Sequence, residues 1–119
     1  SLDMSAAGAA TFNNDVTAFS DVRLKENIET ITNALDKVCQ IRGVTFDRID
    51  TNGPRQMGVI AQEIEEVAPE VVREDSSDDK IKSVAYGNMV ALLIESIKEL
   101  NEKVEKLEKT IINTKKINR

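Results

Sequence analysis

From residue 90 to residue 111 the apolar positions of this chain fall alternately three and four apart without a break, at Val90, Leu93, Ile97, Leu100, Val104, Leu107 and Ile111. That spacing is an a/d heptad seam, with Val or Ile at each a position and Leu at each d position, and it predicts a coiled-coil helix over about 87–113. Lys98, Glu99, Glu102, Lys103, Glu105, Lys106, Glu108 and Lys109 fill the outer positions, mixed in sign as a solvated face is. Leu92 and Ile94 add apolar surface beside the seam, so the first turns are expected to pack on a globular part as well. After Ile111 the pattern fades into Thr114-Lys115-Lys116, basic residues suited to a helix C-terminus. Such a helix can fold back as an ordinary core helix, but the unbroken seam favours self-association. Branched residues at a with Leu at d lean toward two strands, so the seam alone does not prove three.

Upstream of that helix the periods are shorter. Ile28, Ile31, Ala34, Leu35, Val38 and Cys39 recur at three- and four-residue steps, which predicts an amphipathic helix with Thr30 or Thr32 capping its start. Gly43 ends that segment, and Val44-Thr45-Phe46 reads as a short strand. Thr51-Asn52-Gly53-Pro54 is a turn, after which Gln56 to Ile60 returns antiparallel. Ile60, Ile64, Val67 and Ala68 predict a short helix stopped by Pro69. Val71 and Val72 form a brief strand, residues 75–79 a polar acidic loop, and Ile81 to Tyr86 a further strand. The fold class expected is α+β, a small globular part of short antiparallel strands and helices followed by the long C-terminal helix. Residues 1–19 sustain neither period, and their Ala, Ser, Thr, Asn and Gly read as the end of an upstream region, extended or loosely β.

Composition narrows the chemistry. A chain of 119 residues holds one domain at most, and with 40% hydrophobic but 3% aromatic residues its core is aliphatic and modest. The net charge of −5 argues against a nucleic-acid surface, which needs clustered Lys and Arg. A single cysteine, Cys39, excludes an intrachain disulfide and a cysteine-cluster metal site. There is no histidine, which removes histidine-based triads and zinc sites and leaves Lys, Asp, Glu or a terminal amine as bases. No apolar run approaches the roughly 20 residues that cross a bilayer, and no signal-peptide pattern is visible. The loop Asp75-Ser76-Ser77-Asp78-Asp79 lacks the glycine and closing glutamate of a helix-loop-helix calcium site and reads as a solvated hairpin turn. Neither a metal nor a cofactor is called for.

One pair of residues stands at the boundary between the patternless leader and the periodic module. Ser20 and Lys25 lie five apart. A serine hydroxyl becomes a nucleophile when a base takes its proton, and a lysine acts as that base only when neutral. At an ordinary lysine pKa near 10.4, about one side chain in a few thousand is neutral at pH 7. Burial or nearby positive charge lowers such a pKa, and Arg23 is close enough in sequence to contribute. Ser20 also follows the Phe19–Ser20 peptide bond, whose carbonyl its hydroxyl can reach through a five-membered ring. Taken from the residues alone, the pair is either a nucleophile with its base or a turn cap beside a solvated lysine.

Ser20-Asp21-Val22-Arg23-Leu24-Lys25-Glu26-Asn27-Ile28 resembles the opening signature of the intramolecular chaperone domain found at the C-terminus of bacteriophage endosialidases, tail spikes and tail fibres, with a relative in myelin regulatory factor-like proteins. The likeness continues through Gly43-Val44-Thr45-Phe46, Gly58-Val59-Ile60-Ala61-Gln62-Glu63-Ile64 and Val67-Ala68-Pro69-Glu70-Val71-Val72. It ends with Val84-Ala85-Tyr86 and the run from Ala91 to Leu100, so that it spans residues 20 to about 105. The resemblance implies a domain over 20–119 that trimerises and folds a fibrous region upstream, here ending in residues 1–19, and then cuts itself off once as a Ser-Lys serine peptidase. Carried over, Ser20 is the nucleophile, Lys25 the general base and Phe19–Ser20 the scissile bond. Arg23, Asn27, Gln62 and Glu63 match signature positions without an assigned role. The implied partners are two further copies, joined as a three-helix coiled coil, and the upstream fibre of the same polypeptide, with no nucleic acid and no membrane. The implied place is the host cytoplasm during phage assembly, the module being absent from the mature fibre. The rivals are a trimerisation module that does not cut, and a coiled-coil module that docks a different protein along its acidic face.

Overall fold

A computed structural model describes residues 9–118, so that residues 1–8 of the expected fibre end lie outside the described residues. Among the described residues the first α-helix, α1, is Ala34–Cys39 and no more. A helix from Ile28 does not form, for two reasons legible in the backbone. Asn27 and Asn33 both take left-handed φ values, 53° and 54°, each incompatible with a continuing right-handed helix. Between them Thr30-Ile31-Thr32 is β-branched, the side-chain class that loses most rotamer freedom in a helix. Nor does Thr30 or Thr32 cap the start. The amides of Ala34 and Leu35 donate to the Glu99 carboxylate, at 2.9 and 3.2 Å.

Strands β1 (Val44–Phe46) and β2 (Gln56–Gly58) form the antiparallel hairpin that the Thr51–Pro54 turn predicts, with Val44 opposite Gly58 and Phe46 opposite Gln56. The strand stops short of Ile60 because Ile60 already serves as the N-cap of α2, Ala61–Val67. Gly58 has a specific reason to be glycine: a Cβ there would lie 2.5 Å from the Tyr86 hydroxyl oxygen. That hydroxyl accepts the Val59 amide at 3.1 Å and ties the hairpin to the chain entering the last helix. Pro69 ends α2 as expected and opens a 3-10 turn, Pro69–Val71. A second hairpin pairs β3 (Val72–Glu74) with β4 (Lys82–Val84). Its acidic connection is a closed turn, in which Asp75 accepts from the Ser77 and Ile81 amides and from the Ser77 hydroxyl. The Lys82 ammonium sits between Glu65 and Glu74, at 2.9 and 3.0 Å, and so joins α2 to this hairpin.

The last helix, α3, spans Met89–Ile117, 29 residues or about 43 Å at 1.5 Å per residue. The core is small and aliphatic, made of Ala34, Ile64, Ala68, Val71 and Leu92, with Ile31, Val38 and Val59 among those packed around it. Leu92 joins it as expected, but Ile94 does not and is 50% exposed. Residues two positions apart on a helix, as Leu92 and Ile94 are, point roughly 200° apart, so the two cannot share one face. The face of α3 that α1 covers is therefore that of Leu92, Ser96 and Glu99. The heptad seam lies elsewhere on the helix, and all seven of its residues are 43–64% exposed. From Asn101 to Asn118 every residue is exposed, so that the second half of α3 projects as a free rod in a molecule 70 × 39 × 32 Å in extent. Among the described residues no helix is long and apolar enough to cross a membrane.

Candidate functional site

The leader enters the module without regular secondary structure, and after Asp21 (φ −63°, ψ 137°) the chain bends into a 3-10 turn, Val22–Leu24. Two backbone hydrogen bonds define the bend: the Leu24 amide donates to the Asp21 carbonyl at 3.0 Å, and the Lys25 amide to the Val22 carbonyl at 3.1 Å. The chain is thereby folded back on itself. Lys25 Nζ comes to 2.6 Å from Ser20 Oγ, so the structure brings together the two residues that the sequence singled out. Phe19, on the other side of the bond between them and the leader, is 96% exposed.

Arg23 does not serve the lysine. Its amide and its Nε donate to Asp21 Oδ1 at 2.8 and 3.0 Å, and its Nη2 donates to Oδ2 at 2.8 Å. These hydrogen bonds hold the Asp21 carboxyl below the usual carboxylate range and push the guanidinium above its own. The positive charge expected to act on Lys25 is instead paired with the carboxylate two residues before it. Asp21 itself escaped the reading from sequence, although an Asp directly after the serine and two before an arginine is the pattern of a capped turn.

The pair opens on a groove of about 860 Å³ between the leader and the core. Core residues Val71 and Leu92 form part of its floor, while Glu29, Lys37 and Glu70 bring charge to its walls and Asn88 stands at the start of α3. Of the other signature positions, Asn27 supplies a left-handed bend, Glu63 pairs with Arg42 at 2.9 Å, and Gln62 lies exposed on α2. None of these three lines the groove. Chemically, the site offers a hydroxyl, an amine in direct contact with it, and the hydroxyl's own preceding peptide bond. As an ammonium the lysine donates to Oγ. Once neutral it accepts the hydroxyl proton across the same 2.6 Å, which is the contact a base needs.

Residues 20–73 match the family model described as chaperone of endosialidase, peptidase family S74, a match that begins at Ser20. The chain is 40% identical over 99 residues to the long tail fiber protein Gp37 of Enterobacteria phage K3, covering 78% of this chain and 8% of that protein. It is also 40% identical over 99 residues to Gp37 of Enterobacteria phage T2, covering 78% of this chain and 7% of that protein. With Gp37 of Enterobacteria phage M1 the identity is 37% over 111 residues, 86% of this chain and 43% of that protein. The chain thus spans less than a tenth of the first two relatives and under half of the third.

Proposed function

We propose, from the premise that this chain belongs to the chaperone-of-endosialidase family, that it is an intramolecular chaperone which trimerises and folds an upstream phage tail fibre and then releases itself by one cut at Phe19–Ser20. The observation that carries this reading is the 2.6 Å contact between Lys25 Nζ and Ser20 Oγ, at the residue where the family match begins. In the cut, neutral Lys25 takes the Oγ proton and Oγ adds to the Phe19 carbonyl carbon. The Phe19–Ser20 C–N bond breaks as the proton passes to the Ser20 nitrogen, leaving an ester between Phe19 and Oγ. Water then hydrolyses that ester to a Phe19 carboxyl and restores the hydroxyl. A bound geometry of this kind acts like a reactant concentration of up to roughly 10⁵–10⁸ M.

The exposed heptad seam supports the assembly half of the reading. An apolar stripe of seven side chains running from Val90 to Ile111 does not stay in water when a second copy can cover it. Joining three C-termini raises the local concentration of the fibre strands and aligns their ends. Fibrous β-structure has high contact order and folds slowly, so it gains most from such alignment. After the cut the fibre is trapped kinetically, since the element that aligned it is gone. The cut takes place in the host cytoplasm during assembly, and the mature fibre lacks residues 20–119.

The test compares wild type with Ser20→Ala and Lys25→Ala, each with residues 1–19 and their upstream fibre, by denaturing gel. Wild type yields two bands and both variants one. A wild type that stays whole while still forming trimers overturns the peptidase and leaves a non-cutting trimerisation module.

A further inference from the structure

Five residues of extended chain span roughly 17 Å, so the contact between Ser20 and Lys25 depends on the bend between them. Fixing Val22–Leu24 in a 3-10 turn costs backbone entropy at every residue. Burial usually offsets that cost. Here it does not: no residue of the turn is buried, and Val22 and Leu24 are each 68% exposed. Beyond its two backbone hydrogen bonds, the side chain that holds the turn is that of Asp21. Its Oδ1 caps the turn by accepting the Arg23 amide at 2.8 Å, and its two oxygens together take Nε and Nη2 of the same arginine at 3.0 and 2.8 Å. Such a fork needs the planar guanidinium, because a lysine at position 23 offers a point charge instead.

We infer that Asp21 and Arg23 form a clamp that positions the cutting pair: the carboxylate fixes the Val22–Leu24 turn, and the turn sets Lys25 against Ser20. This rests on Ser20 and Lys25 being the pair that cuts. Neither clamp residue touches the reacting atoms, and both act through the backbone between them. The position is also economical in sequence, since nucleophile, clamp and base occupy six consecutive residues.

The experiment follows loss of residues 1–19 from the full chain by intact mass over time, with far-UV circular dichroism and light scattering on the same samples. Asp21→Ala, which removes cap and fork together, slows the cut about tenfold to a hundredfold, the range expected when a reacting group is misplaced by an ångström or less. Asp21→Asn keeps an acceptor for the Arg23 amide and cuts faster than Asp21→Ala. Arg23→Lys keeps the cap but loses the fork, and it too falls between wild type and Asp21→Ala. Helix content and association stay at wild-type values in all three, because the turn contributes no buried residue to the core. Asp21→Ala cutting at the wild-type rate overturns the clamp, as does Asp21→Asn cutting no faster than Asp21→Ala. A slower cut matched in all three variants by loss of helix and association makes Asp21 a residue of the fold and also overturns it. Wild type that does not cut removes the peptidase reading itself, an outcome distinct from a wild type and an Asp21→Ala that cut equally well.

Discussion

Two residues show how much a single position settles in this chain. Asp21 has its carboxyl held below the ordinary value of 3.8, first by the Arg23 side chain. A carboxylate whose folded-state pKa is depressed contributes in full above its unfolded value, and the contribution is lost as pH falls through the folded one. The clamp is therefore whole at neutral pH and opens only in acid. A carbon-detected NMR titration of the Ser20→Ala chain is expected to place the Asp21 midpoint below 3.8, with Arg23→Met returning it toward that value. A midpoint at or above 3.8 in the chain that retains Arg23 contradicts the pairing. Gly58 decides a different matter. Its missing Cβ is what lets the Tyr86 hydroxyl lie over the first hairpin, where 2.5 Å would otherwise separate them. Gly58→Ala is expected to cost about 1–3 kcal/mol in urea unfolding, as overpacking does, and Tyr86→Phe in the same chain removes the clashing oxygen and recovers part of that loss.

Among the elements, legibility followed the range of the forces that set each one. The first hairpin follows from a local turn, α2 from a short apolar period and a proline, and α3 from its unbroken repeat, so all three could be read along the chain. The start of α1 could not be. Ile28 to Cys39 has helical spacing, yet its cap is the Glu99 carboxylate, 64 and 65 residues away in sequence, and two asparagines in left-handed conformation precede it. No local pattern encodes a partner that distant. Glu99→Ala is expected to cost about 1 kcal/mol, the usual loss of an N-cap, and hydrogen exchange at the Ala34 and Leu35 amides is expected to speed up while the β1–β2 amides keep their protection. Lys82, shared by Glu65 and Glu74, plays the same bridging part between α2 and the second hairpin. Its pKa is raised above 10.5 by those carboxylates, so its contribution is present below that value and lost as pH rises through the folded one. A thermal melt of Lys82→Met is expected to show a lower Tm at pH 7 and a smaller further fall above pH 10 than wild type. The site divides along the same line. Ser20 and Lys25 could be picked out as a nearby hydroxyl and amine, whereas their contact depends on a bend whose clamp is visible only when Asp21 and Arg23 are seen facing each other.

At the scale of the whole molecule, two faces of one helix have different surroundings. Leu92 and Ser96 close the core on one side of α3, while Val90 to Ile111 leave an apolar stripe in water on another. If the stripe is covered by further copies as proposed, Leu100→Asp is expected to give monomers in light scattering where wild type gives trimers, and to reduce helix content, since an isolated rod from Asn101 onward is marginal in water. The β1–β2 hairpin and the core around Ile64 keep their protection from hydrogen exchange in that variant. In the proposed function assembly and cutting meet in one species, and native mass spectrometry of the wild-type chain reads both at once. The account predicts trimers of residues 20–119, with a free N-terminus at Ser20 and the leader released, and uncut trimers when Ser20 is alanine. A wild-type chain that stays uncut, or whose new N-terminus falls anywhere but Ser20, contradicts it.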